Sequence, residues 1–336
     1  MKGHWFKAKF LQRVAGLALV FIVLDLHQEV FGQRTTALPV PPSSSTQREP
    51  EGMTQGGERI TVNTDVVTLT VTVMDAQGRY VLGLDKSAFT VTDNKIPQEI
   101  EYFSDDDLPV SIGVVFDTSG SMSGQKIIRA QEALSLFIQT SRPDDEYFLI
   151  GFNSSVELLV DRTRDSDAIL GKLTFVETRG QTALYDAAYL GVEKVKRGTH
   201  TKRAILIISD GQDNNSRYNF DELRRLVRES DTLIYAVGIQ GPTTGHLDVY
   251  GKLLLDELAS TSGGRAFFPN NTEEMYEAFE QIALELRRQY SIGYRPSNFS
   301  ADGRWHRVKV KVTPPAGVKR LFVRNREGYY AAPSSH

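Results

Sequence analysis

The chain has 336 residues, 40% of them hydrophobic and 24% charged, with a formal net charge of −3 and no cysteine. That length supports one large domain and a smaller one around cores that need no staples, and the composition excludes a fibrous or wholly disordered protein. Zero cysteine removes disulfides, cysteine zinc sites and thiol catalysis together, and a mildly acidic balance without a basic stripe argues against nucleic acid as a partner.

The opening "MKGHWFKAKFLQR" sets Lys2, Lys7, Lys9 and Arg13 ahead of the apolar run "VAGLALVFIVL", which stops before Asp25. This is the layout of a secretory signal peptide over residues 1–32, cleaved near Gly32. The run falls short of the roughly 20 apolar residues that span a membrane, so membrane attachment follows only if the segment stays uncleaved. The expectation is a secreted or periplasmic protein. Residues 33–59 are rich in Pro, Ser, Gly and Gln and read as a disordered linker.

Over 60–107, "ITVNTDVVTLTVTVMDAQGRYVLGL" and "FTVTDNKIPQEIEYF" alternate apolar and polar residues around turns at Ala76-Gln77-Gly78 and Asp93-Asn94, the pattern of antiparallel hairpins. Over 108–289 the rhythm changes. "VSIGVVFD", "YFLIGF", "AILIISDG" and "TLIYAVGI" are continuous apolar runs that suit strands buried on both faces. Between them lie helical periods, among them Ile127, Ala130, Leu134 and Phe137, then "NFDELRRLVRES" and "TEEMYEAFEQIALELRRQ". Such alternation predicts an α/β fold, a doubly wound and mostly parallel Rossmann-like sheet. Alternation of period two returns over 290–336 in "YSIGYRP", "RWHRVKVKVTP" and "VKRLFVRN", with Trp305 in a β-domain core or on its rim. These strands are expected to pair with those of 60–107, so that a small antiparallel β-domain flanks the α/β domain or receives it as an insertion.

Ligands of an open parallel sheet bind at the carboxyl ends of its strands. Three such ends carry oxygen donors: Asp117, Ser119 and Ser121 after "VSIGVVF", Thr182 in "RGQTALYDAA" just before a helix beginning around Ala183, and Asp210 closing "AILIIS". Two carboxylates and three hydroxyls form a hard, all-oxygen set that suits Mg²⁺, Mn²⁺ or Ca²⁺ and not zinc or copper. In Asp-x-Ser-x-Ser, alternate residues of one tight loop can turn their oxygens to a common point, and Gly120 is expected to relieve backbone strain there. Two carboxylates only balance a divalent ion, which stays electrophilic toward an incoming carboxylate.

"DTSGSM", the threonine of "GQTALYDA" and "ISDGQDN" resemble, in order and strand context, the three segments of a metal-ion-dependent adhesion site in a von Willebrand factor type A domain, over about residues 108–288. With its leading β-segment, "YSIGYRP" and "REGYYA", the whole chain resembles the exported bacterial proteins related to that family. The resemblance implies a metal held directly by Ser119 and Ser121, directly or through water by Thr182, and largely through water by Asp117 and Asp210. It further implies Mg²⁺ as the cofactor, and an adhesive or scaffolding role without catalysis, in which a protein ligand completes the site with an Asp or Glu carboxylate.

The same loop also spells Gly-x-Ser-x-Gly over Gly120 to Gly124, a nucleophile-elbow string. An exported serine hydrolase would use Ser123 as nucleophile, His246 as base and Asp210 as orienting acid. Against it, Ser123 comes six residues after the strand-ending Asp117, whereas an elbow serine sits on the turn itself. A metal-dependent phosphoesterase is a further alternative, lacking an evident general base or second metal. His200, His246, His306 and His336 are scattered and read as surface residues. Asp213 either tunes the site or caps the next turn, and the run Asp105-Asp106-Asp107 is either a calcium ligand or, as acidic runs usually are, solvated. Asn153, Asn214, Asn271 and Asn298 sit in or near Asn-x-Ser/Thr strings that invite a glycosylation reading.

Overall fold

The computed structural model describes residues 66–239, 249–297 and 302–331. The signal peptide, the linker, His246, Asn298 with Phe299 and Ser300, and His336 lie outside the described residues. Among the described residues no helix is long and apolar enough to cross a membrane.

Four strands come first: β1 (Val67–Asp75), β2 (Phe89–Asp93), β3 (Ile96–Gln98) and β4 (Ile100–Ser104). Gly78 turns the chain after β1 at φ 76°, and Asn94 (φ 47°) and Lys95 (φ 71°) make the β2–β3 hairpin in the left-handed region its geometry demands. The α/β block then runs β5 (Val110–Asp117), α1 (Gln125–Gln139), β6 (Glu146–Phe152), β7 (Val156–Thr163), α2 (Ser166–Thr174), α3 (Leu184–Val195), β8 (Lys202–Ser209), α4 (Phe220–Glu229), β9 (Leu233–Gly238), α5 (Val249–Ser262), β10 (Arg265–Phe267) and α6 (Thr272–Arg287). The last strands are β11 (Tyr290–Tyr294), β12 (Trp305–Val312), β13 (Leu321–Arg324) and β14 (Gly328–Tyr330).

The six-stranded sheet has the order β10-β9-β8-β5-β6-β7 and is parallel except for β7, which forms a hairpin with β6. The continuous apolar runs are explained by burial on both faces. Ile112, Val114 and Phe116 of β5 face α1, α2 and α6, whose Leu134, Phe137, Leu173 and Phe279 close one core. Val115 points the other way with Ile205 and Ile207 of β8, toward α3, α4 and α5 through Val192, Leu226 and Leu255. From β5 the chain moves outward to β6, then returns to β8 on the opposite side, so the winding direction reverses between β5 and β8. That crevice is where an open α/β sheet offers a binding site.

Two four-stranded sheets, β13-β1-β11-β4 and β14-β12-β2-β3, draw strands from both sides of the α/β block. β1 pairs antiparallel with β11 and β13, and β12 with β2. Val67, Leu69 and Val71 of β1 meet Val91, Ile292 and Val310 in one core shared by the two sheets. Glu285 of α6, wholly buried, ties this region to the α/β sheet: it accepts from Tyr235 Oη at 2.8 Å, Thr72 Oγ1 at 3.3 Å and the guanidinium of Arg324.

One reading of a single residue is corrected here. His306 is not a surface histidine. Period-two alternation along β12 puts it on the inner face with Val308 and Val310, and Nδ1 lies 3.0 Å from Asp93 Oδ1. Tyr329 and Tyr294 donate to the other Asp93 oxygen at 2.7 and 3.0 Å. The acidic run Asp105-Asp106-Asp107 is exposed, as expected of a solvated run, with Asp107 paired to Arg142 at 3.2 Å and Asp106 accepting from Ser104 at 2.8 Å. Trp305 stands on the rim, half-buried, with its ring 5.0 Å from that of Tyr330.

Candidate functional site

Asp117 is the last residue of β5 and Asp210 the first after β8, so the two carboxylates flank the crevice where the winding reverses. The β5 loop leaves its strand and makes one turn of 3₁₀ helix, Gly120–Met122, before α1. The Asp117 carboxylate holds the loop shut: Oδ1 accepts from the Ser119 amide at 2.8 Å, and Oδ2 from Ser209 Oγ at 2.5 Å. Ser119 is buried and Ser121 exposed, and their hydroxyl oxygens stand 3.0 Å apart.

Backbone hydrogen bonds stitch the second loop to the first: Gly120 N donates to Gly180 O at 3.1 Å and Arg179 N to Thr118 O at 2.9 Å. Thr182 is buried at the foot of α3 and joins the third loop. Its amide donates to Asn214 Oδ1 at 2.8 Å, and its carbonyl accepts from the amides of Asn214 and Asn215 at 3.0 Å each. At the third loop, Gly211 adopts φ 84° with its backbone against Gly251 of α5, where a Cβ would lie 2.8 Å from the Gly251 oxygen. All five sequence-selected residues therefore belong to one hydrogen-bonded assembly of three loops.

Burial pushes the Asp117 carboxyl up to about 6 from an ordinary 3.8; the bonds from Ser119 and Ser209 oppose this, and the nearby Asp210 charge adds to it. A buried carboxylate so placed gains from a cation. Among the described residues, the ammonium that reaches the site is that of Lys126, 3.4 Å from Asp210 Oδ2. The donor set also fits a hard ion in geometry. Adjacent oxygens of an octahedral Mg²⁺ shell with bonds of about 2.1 Å stand about 3 Å apart, which is the Ser119–Ser121 spacing. Among the described residues no group of three or more His, Asp or Glu gathers around a common point, so this two-carboxylate, hydroxyl-rich set is not a cluster of that kind.

Gly120 does not relieve strain as expected: the left-handed residues of these loops are Gly124, Gly180 and Gly211. What Gly120 provides is a close pass, since a Cβ there would lie 3.4 Å from Gly180 O. Asp213 is a cap, accepting from Tyr185 N at the start of α3 and from Ser216 Oγ. Asn153 and Asn214 serve as loop ties and Asn271 as the cap of α6. Ser123 is exposed and ends the 3₁₀ turn, and Asp210, the acid of the hydrolase reading, is engaged with Lys126. Sequence reasoning missed Ser209 and Lys126. Ser209 directly precedes Asp210, and Lys126 is the second residue of the helix that the first motif opens. Beside the loops is a cavity of about 200 Å³ lined by Thr118, Asn153, Leu159, Phe175 and Arg179, with Phe175 82% exposed.

Residues 112–212 match the family described as von Willebrand factor type A domain. Over these residues the chain is similar to a type A domain. It is 24% identical over 189 residues to an uncharacterized protein of Synechocystis sp., covering 55% of this chain and 43% of that one. It is 25% identical over 221 residues to inter-alpha-trypsin inhibitor heavy chain H4 of Bos taurus, covering 59% and 23%. The chain thus spans less than half the length of these relatives. Among solved structures, a von Willebrand factor type A protein from Catenulispora acidiphila superposes over 79% of this chain and 74% of its own with 12% identity and a TM-score of 0.46.

Proposed function

We propose that the type A domain binds a divalent cation, Mg²⁺ foremost, through Asp117, Ser119, Ser121, Thr182 and Asp210, and recognises a protein ligand there without catalysing a reaction. Type A domains are generally protein-interaction modules, and the family match supports that class of role. The observation that carries the metal reading is the buried Asp117 carboxylate at a crevice lined by oxygen donors from three interlocked loops.

Each residue has a task in this reading. Asp117 and Asp210 supply the negative charge, and Ser209 and the Ser119 amide orient Asp117. Ser119, Ser121 and Thr182 add neutral oxygens, leaving the bound ion electrophilic toward a partner's Asp or Glu carboxylate. Such a contact is strong only where water is excluded, so the surface around Phe175 and Arg179 must close over the ligand.

Strands from 60–107 and 290–336 pair with one another, which supports reading 108–289 as a domain inserted in a β-domain. The basic, then apolar layout of residues 1–32 supports export to a secreted or periplasmic location.

Titration calorimetry with Mg²⁺ on EDTA-treated protein is expected to find one site, lost in Asp117→Ala and in Ser119→Ala. Wild type and variants behaving alike would overturn the assignment. A pull-down with and without EDTA would then identify the ligand by its release.

A further inference from the structure

Lys126 is the second residue of α1, where a cation is locally disfavoured. The N-terminus of a helix carries the positive end of its macrodipole, and this first turn has no acidic residue and no side-chain cap to offset a lysine. A lysine stem is long and flexible enough to carry its ammonium out to water. Here it turns inward instead: the side chain is 15% exposed, and Nζ lies 3.4 Å from Oδ2 of Asp210, itself 6% exposed. Asp210 is its only ion-pair partner among the described residues. The ammonium therefore answers the charge of the crevice, where the Asp210 charge stands close to the buried Asp117 carboxylate.

We infer that Lys126 is a resident counter-cation that competes with the divalent ion for Asp210, weakening metal binding while making the loaded site more positive. The inference rests on the metal reading above. Two carboxylates with Lys126 carry one net negative charge, so a divalent ion leaves the assembly at +1 instead of neutral. That excess favours an acidic partner over a neutral one, and it costs affinity for the ion, because Asp210 must be shared. The lysine thus sets both the affinity of the site and the charge of the ligand it selects.

The test is Mg²⁺ calorimetry on full-length, EDTA-treated wild type, Lys126→Gln and Lys126→Arg, with thermal melting of the metal-free proteins. Lys126→Gln is expected to bind Mg²⁺ about tenfold more tightly, about 1.4 kcal/mol, and to melt lower without metal because the two carboxylates lose their counter-charge. Lys126→Arg, which keeps the charge, should stay within about threefold of wild type. A Lys126→Gln protein that binds no more tightly than a Mg²⁺-binding wild type overturns the inference and leaves the metal reading standing. So does equal tightening in both variants, since charge would then not be the cause. Absence of Mg²⁺ binding in all three overturns the metal reading and the inference together.

Discussion

Asp117→Asn separates what the site costs the fold from what it offers a cation. Burial holds the Asp117 carboxyl at about 6 in the folded chain against 3.8 when exposed. At about 1.4 kcal/mol per pH unit, that difference of roughly two units amounts to about 3 kcal/mol. Because the folded value is the higher one, the stabilising contribution is complete below the unfolded value and is lost as pH rises through about 6. At neutral pH the metal-free protein keeps a buried carboxylate at full cost. The asparagine amide has nearly the same shape, still accepts from the Ser119 amide, and can meet the rotatable Ser209 hydroxyl as a donor, at a mismatch of about 1 kcal/mol. Urea titrations in EDTA should therefore find the variant more stable than wild type by about 2 kcal/mol at pH 7.5. By pH 5 the advantage should shrink by about 1.4 kcal/mol, because wild-type Asp117 is by then largely protonated. A stability difference that does not change between the two pH values would refute the argument, whatever its sign.

Other expectations follow from single contacts. A serine-reactive phosphonate should leave the protein unlabelled; labelling that vanishes in Ser123→Ala would instead establish the hydrolase reading. Asp93→Ala strips three buried donors, Tyr294, Tyr329 and His306, of their acceptor and should cost about 3–5 kcal/mol in urea titration; a loss under 1 kcal/mol would show that the cluster is not a stabilising one. Gly211→Ala forces a Cβ at φ 84° to within 2.8 Å of the Gly251 oxygen, so a loss of at least 1–3 kcal/mol is expected, with weaker Mg²⁺ binding because Asp210 is its neighbour. Unchanged stability would mean that α5 yields more easily than its packing implies.

Much of the fold was legible because its signals are local. The central runs of β5, β6, β8 and β9 are apolar since each strand is covered on both faces, and the spacing of Ile127, Ala130, Leu134 and Phe137 is the stripe that α1 buries. β7 was not legible: as an antiparallel edge strand its exposure follows no clean period, so "VELLVDRT" resembles neither a buried run nor an alternating one. His306 was misjudged because histidine identity says less about burial than its place on the inner face of β12. At the site, the Asp-Thr-Ser-Gly-Ser string marks one loop by itself, but Ser209 and Lys126 carry no motif. Their roles arise from strands and helices that are distant in sequence.

By itself, then, the sequence determined the main strands and helices, β7 excepted, and which chain turns carry oxygen donors, since hydrophobic period and residue chemistry are properties of short stretches. Only the tertiary structure decided that the winding reverses between β5 and β8, that the loops after Asp117, before Thr182 and after Asp210 lock together, and that a lysine turns inward against its own helix dipole. Those outcomes depend on strand order and burial, which bring charges and donors from segments spread between Asp117 and Asp210 into one low-dielectric crevice, where neighbouring charges interact more strongly than they would in water.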